Sequence, residues 1–224
     1  MIKAVIFDLD NTLIDFMTMK RQSCEAAISA MIKAGLRLKK KKAIKILFRL
    51  YAEYGIDYGK IFQKFLKKTG GKIDYKLLSS AVVAYRKTQT GFLVAYSNVN
   101  KMLSELKRRG YKLAILSDAP RFNAWIRLTE LGIVDYFDVV ITLGDVKYKK
   151  PHKIPFRAVL RKLKLKPQEA LMVGDNIKRD IEGARRLGIK TVLAKYGCLG
   201  EYEKKADFEI NRIGDLLDIV KRLE

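Results

Sequence analysis

The chain has 224 residues, 49% of them hydrophobic, enough for one large domain or for a core with a smaller second domain. No apolar run approaches the roughly 20 residues that span a bilayer, and the acidic segment starting at Asp8 leaves no room for a signal peptide, so a soluble cytoplasmic protein without a membrane partner is expected. The formal net charge of +22 is read as a lysine-rich surface of the kind found in proteins of hot-living organisms; nucleic acid is not expected as a main partner, although such a field attracts anionic substrates.

Residues 2–9 read as a first strand, because Ala4 to Phe7 form an unbroken apolar run that suits burial on both faces. The stretch from about Phe16 to Tyr96 then lacks strand signals. Ile44, Leu47, Phe48 and Tyr51, and later Leu77, Leu78, Ala81, Val82 and Tyr85, recur at helical spacing, punctuated by Gly35, Gly55 and Gly70-Gly71. These features predict a small helical bundle inserted after the first strand, with Lys39 to Lys42 as a solvated helix start. Cys24 falls on an apolar helix face and is expected in the core; with Cys198 it makes a distant pair that suggests no disulfide framework.

Further short apolar runs follow at Lys112 to Leu116, Val139 to Leu143, Ala170 to Val173 and Lys190 to Ala194. Helical patterns separate them at Arg121 to Leu131, Pro155 to Leu163 and Lys178 to Leu187, the last closed by Gly188. Alternating strands and helices predict an α/β fold, a Rossmann-like parallel sheet core with a small helical-bundle domain. The expected boundaries are 1–15 and 97–224 for the core and 16–96 for the helical domain.

Asp8 and Asp10 stand at the carboxyl end of the first strand, the edge where open parallel sheets bind ligands. Two such carboxylates repel one another, and a divalent cation or a shared proton would account for the pair. A strand-ending acidic turn would place them there equally well. Val173-Gly174-Asp175 follows another apolar strand, and Asp180 lies in the first turn of the next helix. Asp175 with Asp8 and Asp10 makes an oxygen set suited to Mg2+. Ser117 offers a hydroxyl after a third strand, with the amide of Asp118 beside it, and Lys150 precedes Pro151. His152, the one histidine of the chain, excludes any mechanism that needs two and is read as a loop residue.

Taken in order, Asp8-x-Asp10-x-Thr12, Ser117, Lys150 and Gly174-Asp175-x-x-x-x-Asp180 resemble the four motifs of the haloacid dehalogenase-like (HAD) hydrolase superfamily, sampled over nearly the whole chain. The helical insert resembles the α-helical cap of that family. The resemblance implies that Asp8 is a nucleophile forming an aspartyl-phosphate and that Asp10 is the general acid and base. It implies a Mg2+ ion at Asp8, Asp10 (through its carbonyl) and Asp175, with Asp180 behind them. Ser117, the Asp118 backbone and Lys150 would hold the phosphoryl oxygens, supported by Thr12 and Asn176.

The dehalogenases of the family lack an acid at the position of Asp10 and use no metal, so Asp10 and Asp175 favour phosphate chemistry. Asp118 departs from many relatives, which carry Asn there, and brings a negative charge toward a phosphate site. The implied substrate is a small phosphorylated metabolite, with a triose phosphate such as glyceraldehyde 3-phosphate, or phosphoglycolate, as the first guess. A phosphomutase of the same fold is the main alternative; a 2-haloacid dehalogenase and a nucleic-acid-binding protein stand behind it. Phe16, Met17 and Lys20 are within sequence reach as specificity residues, and the oligomeric state is open.

Overall fold

Ala4–Phe7 form strand β1, and all four residues are buried. A strand covered on both faces needs no polar alternation, which explains its unbroken apolar run. The computed structural model of the chain describes residues 1–199 and 206–224. Its further strands are β2 (Lys112–Leu116), β3 (Val139–Ile141), β4 (Ala170–Gly174), β5 (Lys190–Ala194) and β6 (Phe208–Ile210). They form one six-stranded sheet in the order β3-β2-β1-β4-β5-β6, with every pair parallel.

The order reverses at β1, since the chain builds β2 and β3 on one side and then crosses to β4 on the other. That reversal opens a crevice beyond the carboxyl ends of the strands, where open α/β sheets take ligands. Register brings the ends together. Phe7 is level with Ile115 of β2 and with Val173 of β4. The residues that follow these strands, Asp8, Ser117 and Asp175, therefore emerge side by side.

The chain forms two compact units, Met1–Asp15 with Val94–Glu224, and Phe16–Leu93. In the first, helix α7 (Lys153–Leu163) lays Phe156, Val159, Leu160 and Leu163 into a core with Ala4, Ile6, Ala114, Leu116 and Met172. Helix α5 (Val99–Arg108) lies against β2 and against α9 (Leu216–Lys221), and α6 (Arg121–Glu130) follows β2.

The second unit holds α1 (Phe16–Lys33), α2 (Lys40–Tyr54), α3 (Ile61–Gly70) and α4 (Tyr75–Phe92). Their shared core includes Cys24, Ile28, Met31, Leu47, Tyr51, Phe65 and Ala81. Asp74 caps α4, its carboxylate accepting from the N–H groups of Lys76 and Leu77. Lys39 to Lys42 lie exposed at the start of α2. Phe16 and Lys20 are buried, and the Lys20 ammonium lies 4.2 Å from the centre of the Tyr51 ring.

Two elements differ from expectation. β6 is a three-residue strand beside β5, too short to show a pattern. The helix expected over Lys178 to Leu187 begins instead as a wide π turn, Ile177–Glu182, followed by the short α8, Gly183–Arg185. Side chains at the turn compete with the α-helical ladder: Asn176 accepts from the Arg179 N–H, and Asp180 Oδ2 accepts from the Asn176 N–H at 3.0 Å. Such wide turns concentrate at functional sites.

Candidate active site

Three carboxylates and one lysine meet beyond β1, β2 and β4. Asp8, Asp175 and Asp180 are buried, and each offers an oxygen such that all three atoms lie within 4.8 Å of one another. Lys150 is buried among them. Its Nζ donates to Asp8 Oδ1 at 2.6 Å and to the Leu116 carbonyl at 2.8 Å. It also lies 2.7 Å from Asp180 Oδ1, a fully buried ion contact.

Burial acts to lower the Lys150 pKa, but Asp180, Asp8 and Asp118 outweigh it and raise the pKa above the ordinary lysine value. The lysine is therefore a fixed positive charge. Asp175 shifts the other way: burial first, then the charges of Asp8 and Asp180, push it up to about 9. Burial likewise raises Asp180, partly offset by Lys150. Three crowded carboxylates against one lysine form an oxygen site with negative charge left to balance, which fits a hard divalent cation.

Glycine and asparagine make this convergence sterically feasible. A Cβ on Gly174 would sit 2.5 Å from the Asp180 carboxylate, so only glycine lets β4 end there. Asn11 takes a left-handed conformation (φ 62°), which Asn tolerates, and turns the chain sharply after Asp10. The Thr12 hydroxyl donates weakly to Asp175 Oδ1 at 3.4 Å. Ser117 is buried, and its Oγ accepts from the Ala119 N–H at 3.1 Å.

The remaining expected residues lie around this centre. The Asp10 side chain is not in the three-carboxylate group; its Oδ2 faces Arg127 Nη1 at 2.6 Å. Asp118 turns its carboxylate toward the Lys150 backbone, where Oδ1 accepts from the N–H at 2.9 Å. Asn176 opens the π turn as described. His152 is exposed, stacks on Tyr148 with ring centres 4.2 Å apart, and caps α7 by accepting from the Ile154 N–H.

Residues that sequence reasoning passed over complete the surroundings. Arg127 is buried beside Ala124 and Leu128 on α6, so a charge on an apolar stripe was the available signal. Arg179 Nη1 lies 3.6 Å from Asp118 Oδ2. The turn after β5 is bonded to the site's backbone: the Tyr196 hydroxyl donates to the Thr12 carbonyl at 2.7 Å, and Cys198 Sγ donates to the Asp175 carbonyl at 3.0 Å. Gly197 between them abuts the Asn11 carbonyl, where any Cβ would collide.

Residues 5–194 match the family described as haloacid dehalogenase-like hydrolase. The chain belongs to that family. This hydrolase is 35% identical over 226 residues to the glyceraldehyde 3-phosphate phosphatase of Methanocaldococcus jannaschii, covering 100% of this chain and 99% of that protein. A solved HAD phosphatase from Thermococcus onnurineus is 28% identical, covers 98% of both chains and gives a TM-score of 0.72. A solved putative beta-phosphoglucomutase from Thermotoga maritima, 20% identical with a TM-score of 0.77 over the full length of both chains, shares the fold alone. Among the described residues, no helix of the hydrolase is long and apolar enough to cross a membrane.

Proposed function

We propose that this hydrolase is a Mg2+-dependent phosphomonoester phosphatase that works through an aspartyl-phosphate on Asp8. The observation that carries the reading is the buried Lys150 ammonium, held against both Asp8 and Asp180 and bonded to the carbonyl of Leu116, the residue before Ser117. Lys150 orients the Asp8 carboxylate and supplies positive charge where phosphoryl oxygens arrive. A cation held by Asp8, Asp175, Asp180 and the Asp10 carbonyl would offset the repulsion between the Asp8 anion and an anionic ester.

In the first step a carboxylate oxygen of Asp8 attacks phosphorus, the ester P–O bond breaks, and Asp10 gives its proton to the leaving alcohol oxygen. In the second step Asp10 takes a proton from water, the water oxygen attacks the same phosphorus, and the bond to Asp8 breaks to release phosphate. Arg127, 2.6 Å from Asp10 Oδ2, orients the Asp10 side chain for this proton transfer. The Ser117 hydroxyl and the Asp118 backbone amide complete the phosphoryl cradle, and Thr12 and Asn176 support the turns that carry Asp10 and Asp180.

The substrate we propose is a small phosphorylated metabolite, with glyceraldehyde 3-phosphate first because the Methanocaldococcus relative is named for it. The helical unit serves as the cap that selects it. Its insertion point favours this role, since the Asp15 N–H donates to the Val94 carbonyl at 3.2 Å, so the chain leaves the core and returns at one place after the Asp10 turn.

A screen of glyceraldehyde 3-phosphate, phosphoglycolate and sugar phosphates with Mg2+ tests the reading. Free phosphate is the expected product. An isomerised ester without free phosphate would identify a mutase instead, and neither product from any ester would overturn the proposal.

A further inference from the structure

Asp118 places a fourth carboxylate near a centre that already gathers Asp8, Asp175 and Asp180. An uncompensated charge there would repel a phosphate dianion. One hydrogen bond restrains it, and one longer ion contact faces it. Oδ1 accepts from the Lys150 N–H at 2.9 Å, which ties the turn after β2 to the segment that carries Lys150. Oδ2 lies 3.6 Å from Arg179 Nη1 on the π turn. The Arg179 guanidinium also lies in the field of Asp8, Asp180 and Asp175. Its backbone N–H is fixed by Asn176 Oδ1 at 3.0 Å, so its starting point is set by the same turn that positions Asp180.

We propose that Asp118 and Arg179 are a compensating charge pair that sets phosphate affinity, in which Arg179 cancels the charge that Asp118 brings to the phosphate-binding turn. Asp118 is the positioning residue: its hydrogen bond holds the backbone of Lys150. Arg179 is present because that hydrogen bond is made by a carboxylate rather than by an amide. An Asn at residue 118 can still accept from the Lys150 N–H through its carbonyl oxygen, but it brings no charge to be cancelled. The inference rests on the phosphate-site reading given above.

A double-mutant cycle tests it, with inorganic phosphate binding measured by calorimetry in the presence of Mg2+ and with KM and kcat measured on an ester that the parent hydrolyses. Arg179→Gln in the parent background is expected to weaken phosphate binding and raise KM by about tenfold, with kcat changed by less than about threefold. Asp118→Asn is expected to tighten phosphate binding. In the Asp118→Asn background, the loss caused by Arg179→Gln is expected to shrink below about threefold. Arg179→Lys, which keeps the charge, is expected to recover most of the lost affinity and separates charge from folding. Equal losses in both backgrounds, or no loss from Arg179→Gln, overturn the pair. A parent that binds no phosphate at all overturns the phosphate-site reading itself, a different failure from normal binding without coupling.

Discussion

Arg127 Nη1 lies 2.6 Å from Asp10 Oδ2, a contact that joins the middle of α6 to the turn after β1 and buries the guanidinium almost completely. It separates the two carboxylates of the first motif. Asp8 faces Lys150 and Asp10 faces Arg127, so the two carboxylates lie against different cations. Two carboxylates two residues apart in different surroundings can hold different tasks.

Removing that cation should harm turnover more than binding. Arg127→Leu leaves Asp10 without its orienting charge, and kcat is expected to fall by about 100-fold, the scale of a misplaced catalytic group. Stability should also fall, by about 3–5 kcal/mol if the broken pair behaves as a buried one. Arg127→Lys should recover part of kcat. Steady-state kinetics beside thermal melts check this, and an unchanged kcat in the leucine variant would remove Arg127 from the mechanism.

Cation binding should release protons. With burial and the charges of Asp8 and Asp180 pushing it up to about 9, Asp175 is expected to bind a proton more readily than an ordinary carboxylate in the metal-free protein, and a divalent cation would displace that proton. Calorimetric titration of Mg2+ in buffers of different ionisation enthalpy should show that release. Because the folded value lies above the ordinary carboxylate value, the folded chain binds the proton more tightly than the unfolded chain. This contribution is full at acid pH and is lost as the pH rises toward about 9. Metal-free protein should therefore lose melting temperature across that window, and Mg2+ should restore more of it at high pH than at low.

The turn after β5 should tolerate no side chain at its centre. Gly197→Ala forces the new methyl against the Asn11 carbonyl, and the loss is expected to be about 1–3 kcal/mol with a matching fall in melting temperature. Activity should fall as well, since Tyr196 and Cys198 on either side hold the Thr12 and Asp175 carbonyls. A variant as stable and as active as the parent would show that this turn does not support the site.

The parallel core was legible because its strands are buried on both faces, so that Ala4 to Phe7 and Leu113 to Leu116 appear as unbroken apolar runs. Lys150 was legible only through its resemblance to a motif, since one lysine among 46 basic residues carries no local signal. Arg127 was hidden for the same reason, although its place between Ala124 and Leu128 on a buried stripe marked it as a charge in need of a partner. The π turn was hidden because it arises from side-chain hydrogen bonds of Asn176 and Asp180, not from the apolar spacing that predicts a plain helix. Asp118 was seen as an added charge, but its two partners come from residues 150 and 179, which only the folded chain brings near.

The central claim is covalent catalysis at Asp8, and acid-quenched enzyme tests it most directly. The hydrolase is mixed with a phosphomonoester that it turns over and with Mg2+, stopped in acid within one turnover, digested and read by mass spectrometry. The account predicts one added phosphoryl group on the peptide that contains Asp8, absent from the Asp8→Asn variant, which also releases no phosphate. Phosphate release by Asp8→Asn at the parent rate, or a phosphoryl group trapped on any other residue, would contradict it.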